Sequence, residues 1–132
     1  MRASLPDTNA IVRYLVRDDA ALFDQADAYF SKVKSGGIKI IILESVLAEC
    51  VFVLVHIYKV PRQMIADSLA NLLHYRGVVN HDRDIFIESL KLFASGNLAI
   101  VDCLLIVRAK GAGSDVFSFD RALVKKLTKE RI

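Results

Sequence analysis

Residues 38–42 read Ile-Lys-Ile-Ile-Ile, a β-branched run broken only by Lys39, as expected of a strand buried on both faces. Such a strand must be covered from two sides, which favours helices above and below a mostly parallel sheet. The surrounding pattern agrees. A short apolar segment ends at Pro6-Asp7-Thr8-Asn9, after which Ala10, Ile11, Tyr14 and Leu15 recur at helical spacing, so strand, turn and helix are expected. Asp19 opens a second helix through Lys34, closed by Gly36-Gly37, with Ala21, Leu22, Ala26, Tyr29, Phe30 and Val33 on its inner face. A long helix starts at Glu44 or Ser45 and runs to about Tyr58, and Pro61 opens another that ends before Gly77. Residues 78–79 form a short strand, and 82–95 a helix turning Ile85, Phe86, Ser89, Leu90 and Phe93 inward. Asp102 stands near the start of a helix reaching Gly111; residues 115–119 are a last short strand and 121–129 a basic helix. Strands alternating with helices in this way place sites at the carboxyl ends of the strands.

With 132 residues the chain suits one domain, 1–132, and no repeat or low-complexity tract divides it. Lys plus Arg exceed Asp plus Glu by 18 to 15, a net charge of +3 that permits a polyanionic partner without requiring one. A hydrophobic content of 54% excludes disorder and leaves apolar surface to be shared with another chain. A membrane span needs roughly 20 apolar residues in a row, and the richest stretch, 38–60, is interrupted by Lys39, Glu44, Glu49 and Lys59. Asp7 follows too early for a secretory signal, so a cytoplasmic protein is expected. Cys50 and Cys103 sit in apolar segments without zinc-site spacing and read as reduced core thiols.

Of the 15 acids, eleven fall at helix starts, in polar turns or on solvated faces. The other four are single acids in apolar segments: Asp7 ends the first strand, Glu49 is the only charge between Ser45 and Val55, Asp102 the only one between Leu98 and Val107, and Asp120 follows Val116-Phe117-Ser118-Phe119. Carboxylates converging in a cleft repel one another unless a cation neutralises them, and oxygen-only ligands select Mg2+ or Mn2+ over zinc. The alternative is that Asp7, Asp102 and Asp120 cap the helices that follow them. Glu49, expected in mid-helix, needs another explanation, such as solvent or a basic partner across a subunit contact.

These residues resemble the PIN-domain family: Asp7-Thr8-Asn9 after a first strand, Glu49 within Leu47-Ala48-Glu49-Cys50-Val51, Asp102 after Ala99-Ile100-Val101, and Phe117-Ser118-Phe119-Asp120 near the end. Within it the likeness is to VapC-type toxins of toxin–antitoxin pairs, and it covers nearly the whole chain. The resemblance implies a three-layer α/β/α sandwich with a central mostly parallel sheet, and Mg2+- or Mn2+-dependent endoribonuclease activity. Asp7, Glu49, Asp102 and Asp120 would form the catalytic acidic site, with Asp7, Asp102 and Asp120 as metal ligands. Asn9 and Ser118 would support them by hydrogen bonds to the acids. It further implies a homodimer and a cognate antitoxin protein held near the site. Pro6 stands where an aliphatic residue is commoner, and since proline cannot donate to a ladder the first strand ends early. The brief final segment leaves the usual last strand missing or reduced.

A metal-activated water requires no side-chain nucleophile, which suits a sequence whose His56, His74 and His81 show no ligand or triad spacing. Bases should ring the site to attract RNA. Arg13 and Arg17 follow the first motif one turn apart, and Arg108, Lys110, Arg121, Lys125, Lys126, Lys129 and Arg131 make the last part basic. Of these, Arg13, Arg17, Arg108 and Arg121 are the expected RNA contacts. Tyr14, Phe52 and Tyr58 are available for partner surfaces. A receiver-like domain would want paired acids directly after the first strand, and a haloacid-dehalogenase-type phosphatase a second Asp where Asn9 stands; neither fits. A PIN-like scaffold that binds RNA or protein without cutting is the remaining alternative.

Overall fold

Side-chain chemistry sets several of the helix boundaries. In the computed structural model, which describes residues 2–130, Asp7 caps α1 (Thr8–Val16) by accepting from the Ala10 N–H at 2.8 Å. Asp19 caps α2 (Ala20–Ser35) by the same bond to Leu22 at 3.0 Å, and Gly36 closes it in the left-handed region at φ 89°, where glycine is unstrained. Then follow α3 (Glu44–His56), α4 (Arg62–Leu73) behind Pro61, α5 (Arg83–Ser95), α6 (Ile100–Ala112) ended by Gly113, and α7 (Arg121–Glu130). Packing runs α2 on α1, α1 on α3, and α4, α5, α6 and α7 each on the next, with α3 also meeting α4 and α6. Phe30, Phe86, Phe93, Ile11, Leu47 and Leu69 are among the fully buried side chains.

The expected three-layer sandwich with a central sheet is not what the chain forms. Among the described residues there is no strand, only two isolated parallel bridges, Ser4 with Ile40 and Ile40 with Val78. The bridges run parallel, as expected of the sheet's strands, but each pairing is one residue deep. Two side chains explain this. Pro6 has no N–H, so the first segment loses its next donor just before α1 begins. On the other flank the Asn80 amide accepts from the Ile42 N–H at 2.9 Å and donates to the Ile42 carbonyl at 2.8 Å, replacing the next rung of backbone. Residues 115–119 also form no strand, and Phe117 and Phe119 stand in solvent.

Burial corrects one helix face: Ala21 and Leu22 are exposed, and α2 buries Phe30 and Val33 with Ala26 and Tyr29 half-buried. On α5 the inward set holds, down to fully buried Ser89, whose hydroxyl donates to the Ile85 carbonyl at 2.7 Å. All three histidines are exposed. Cys50 and Cys103 are buried free thiols, pushed up to about 12 and about 11, in both cases chiefly by burial. No helix among the described residues is long and apolar enough to cross a membrane. Arg131 lies outside the described residues.

Two polar devices join the helices. The Arg62 guanidinium lies 3.7 Å over the Phe93 ring, donates from Nε to the Phe93 carbonyl at 2.9 Å, and donates from Nη2 to the Leu98 carbonyl. It thereby ties the start of α4 to the end of α5 and to the turn before α6. Gly77 sits where the backbones crowd: its N–H donates to the Val33 carbonyl at 2.8 Å and its carbonyl accepts from Ile40 at 2.7 Å.

A Cβ at Gly77 would lie 2.0 Å from the Ile38 oxygen and 2.7 Å from the Val33 oxygen, both backbone. Gly77→Ala should therefore cost about 3 kcal/mol or more, the upper end for overpacking, read from the urea midpoint. Arg62→Met should cost about 2–3 kcal/mol in the same assay, since it leaves two carbonyls without their charged donor.

Candidate active site

The four isolated acids occupy helix starts and one helix middle. Asp7 is extended, exposed, and lies at a cleft of about 400 Å3 shared with Asn9, Arg13, Gln25, Tyr29 and Phe30. Glu49 points to solvent from the middle of α3, on a stripe with exposed Ser45, Phe52 and His56. Asp102 is half-buried in the first turn of α6, whose N-cap is Ala99, so it is not itself the cap. Asp120 precedes α7, and its Oδ1 accepts from the N–H groups of Ala122 at 2.9 Å and Leu123 at 3.1 Å.

Electrostatics group these acids in pairs. The Asp102 carboxyl is raised above its ordinary value, first by burial and then by the charge of Asp120. Glu49 and Asp7 both act on the Cys50 thiol, reinforcing the effect of burial, and that thiol lies 4.0 Å from the Thr8 carbonyl. The start of α1 thus meets the middle of α3, and the start of α6 meets the start of α7. The structure does not bring all the acids into one cluster: among the described residues no group of three His, Cys, Asp or Glu side chains is close enough to hold a metal ion.

The capping alternative is realised for Asp7 and Asp120, but each cap uses Oδ1 alone, and Oδ2 accepts no hydrogen bond among the described residues. The caps therefore leave one oxygen of each carboxylate unused. The polar neighbours behave differently from expectation. Ser118 Oγ accepts from the backbone N–H of Asp120 at 3.0 Å rather than bonding its carboxylate, and Asn9 lines the Asp7 cleft with no hydrogen bond to an acid among the described residues.

Three of the four expected RNA-contacting bases have other engagements. Arg13 is bound to Asp18 at 3.0 Å, and Tyr58 donates to the same acid at 2.9 Å, holding the Asp18 carboxyl below its ordinary range, the tyrosine bond contributing most. Arg17 lies 4.7 Å over the Phe23 ring. Arg108 is hydrogen-bonded to Glu44, with Asp82 at 3.6 Å. Arg121 is exposed and pairs with no acid among the described residues. Sequence reading passed over Arg62, which fixes the turn leading to Asp102; one arginine behind a proline carries no signal of that role. Of the partner-surface aromatics, Phe52 is exposed, while Tyr14 and Tyr58 are half-buried.

Compared with known proteins, the chain matches the PIN domain over residues 4–128, a span that takes in all four acids. It belongs to the PIN domain family. One curated relative is a VapC ribonuclease of Aquifex aeolicus (strain VF5), 29% identical over 123 residues, covering 92% of this chain and 90% of that protein. No solved structure matches. In this PIN domain the donor chemistry suits a hard cation: carboxylates alone, one of them partly desolvated, within reach of the charge of another and disfavoured as an anion. Mg2+ is commonly held by one or two carboxylates completed by water and substrate phosphate, and Asp102 with Asp120 fits that requirement without a three-acid cage.

If Oδ1 serves the caps, Asp7→Ala and Asp120→Ala should each lower stability by about 1 kcal/mol, while Asp7→Asn and Asp120→Asn keep most of it. Chemical denaturation of the four variants without metal checks this, and equal losses for Ala and Asn would contradict the cap geometry.

Proposed function

We propose that this chain is a Mg2+- or Mn2+-dependent endoribonuclease and the toxin of a toxin–antitoxin pair. The observation that carries the reading is the partly buried Asp102 carboxyl beside Asp120, a repulsion that a divalent cation relieves. The name of its Aquifex relative supports it. The whole chain, 1–132, acts as one domain in the cytoplasm, as a homodimer restrained by its cognate antitoxin.

Asp102 and Asp120 are assigned as direct metal ligands, and the Oδ2 of Asp7, which the α1 cap leaves unused, as a third. When bound, such an ion would supply positive charge to a non-bridging phosphate oxygen and lower the pKa of a water, so that it gives up a proton to solvent and the resulting hydroxide attacks phosphorus. Glu49, exposed on α3, orients the attacking water or completes the ligand shell. Asn9 and Ser118 position the segments that carry Asp7 and Asp120. Arg121, with no acid partner among the described residues, and Arg17 are the phosphate contacts; Arg13 and Arg108 serve RNA only by leaving Asp18 and Glu44.

Asp102→Asn tests the reading. Cleavage of single-stranded RNA with Mn2+ should be abolished, and the rise in melting temperature that Mn2+ gives the parent should disappear. Without metal the sign is opposite. A carboxyl raised in the folded state costs stability above its unfolded value, so the variant should melt about 1–2 °C higher at pH 7, a small gain because the group is largely solvated. That gain should vanish as the pH falls through the carboxylate range and Asp102 becomes protonated. Undiminished cleavage by the variant overturns the assignment; RNA binding by a parent that never cleaves favours the non-catalytic scaffold.

A further inference from the structure

Phe117 and Phe119 are the most exposed large apolar side chains described, at 89% and 92%. Two residues apart in the chain, they bring their rings together, with centroids 5.2 Å apart and planes at 66°. Rings of this size are ordinarily covered, and two touching each other in water mark a surface that something else completes. What lies beside them indicates the occupant. A hollow of about 280 Å3 is lined by Ser118, Phe119, Asp120, Arg121, Val124 and Lys125. Arg121 and Lys125, one turn apart on α7, are exposed and pair with no acid among the described residues, whereas neighbouring Lys126 lies 3.8 Å from Glu130. The acid in the hollow, Asp120, directs Oδ1 to two N–H groups of α7.

Exposed aromatic faces beside uncompensated cations match a polyanion that carries planar apolar groups. Single-stranded nucleic acid has that chemistry, since every unpaired base offers a π face and every phosphate a charge, while a duplex keeps its bases stacked inside. We propose that Phe117 and Phe119 form a stacking platform for unpaired bases of single-stranded RNA, with Arg121 and Lys125 on the phosphates between them. The inference rests on the ribonuclease reading for its choice of RNA and deepens it: the platform adjoins Asp120 and would select substrates with unpaired bases beside the cut.

Binding of a short fluorescein-labelled single-stranded RNA to the full chain, in EDTA so that no cleavage occurs, can be followed by anisotropy. The Phe117→Ala/Phe119→Ala pair should weaken binding about tenfold or more per ring, and Phe119→Trp should retain it. The Arg121→Gln/Lys125→Gln pair should flatten the salt dependence, which the ring variants leave unchanged. Since both rings stand in water, the alanine pair should fold, and the Trp variant reports on stacking even where it does not. Unchanged affinity in the alanine pair, or equal binding of a duplex, overturns the platform. So does a dimer of the parent that the alanine pair dissolves, which would assign the rings to a second copy of the chain. Cleavage with Mn2+, measured in parallel, separates the two readings. Ring-dependent binding without cleavage supports the platform and refutes the nuclease; cleavage with KM unchanged in the alanine pair does the reverse.

Discussion

The buried backbone of residues 40–42 is the constraint around which the helices are arranged. Peptide groups carried into an apolar interior must be hydrogen-bonded, and here four residues supply the bonds. Ser4 accepts from the Ile41 N–H, Gly77 and Val79 bracket Ile40, and the Asn80 side chain takes both polar groups of Ile42. Those contacts bring the residues before α1, the turn after α4 and the turn before α5 to one line. The helices then close over Ile40, which is fully buried.

The placement of the acids follows from that line. Asp7 stands three residues beyond Ser4, and Glu44, whose carboxylate binds Arg108 of α6, two beyond Ile42. The central segment therefore sets the start of α1 directly, and α3 carries its influence to α6. The charge of Asp120 reaches Asp102 where α7 packs on α6.

Helices were legible because their signals are local: Asp19 and Gly36 bound α2, Pro61 precedes α4 and Gly96 follows α5. The sheet was misread because an Ile-rich run reports burial, and burial does not determine how many rungs a neighbour provides. Pro6 was visible as a missing donor, but no local pattern marks the Asn80 amide as a substitute for backbone, 38 residues from its partner. The four acids could be singled out because unpaired charge in apolar sequence needs a reason; which of them meet could not, since that depends on packing between helices. Arg108 was read as free to bind RNA for the same reason, its carboxylate partner lying 64 residues away.

One guanidinium has a consequence for ligand binding. Through Arg62, the last turn of α5, the carbonyl of Leu98 and the first turn of α6 share a single charged anchor seated on the Phe93 ring. The turn that delivers Asp102 is thus held by groups far from any substrate. Ordering a loop at the moment of binding weakens affinity, and a loop ordered during folding avoids that loss. A ligand at Asp102 would meet it preorganised, and a sequence change at the start of α4 would be felt as slack in a carboxylate that Arg62 holds only through the turn before it.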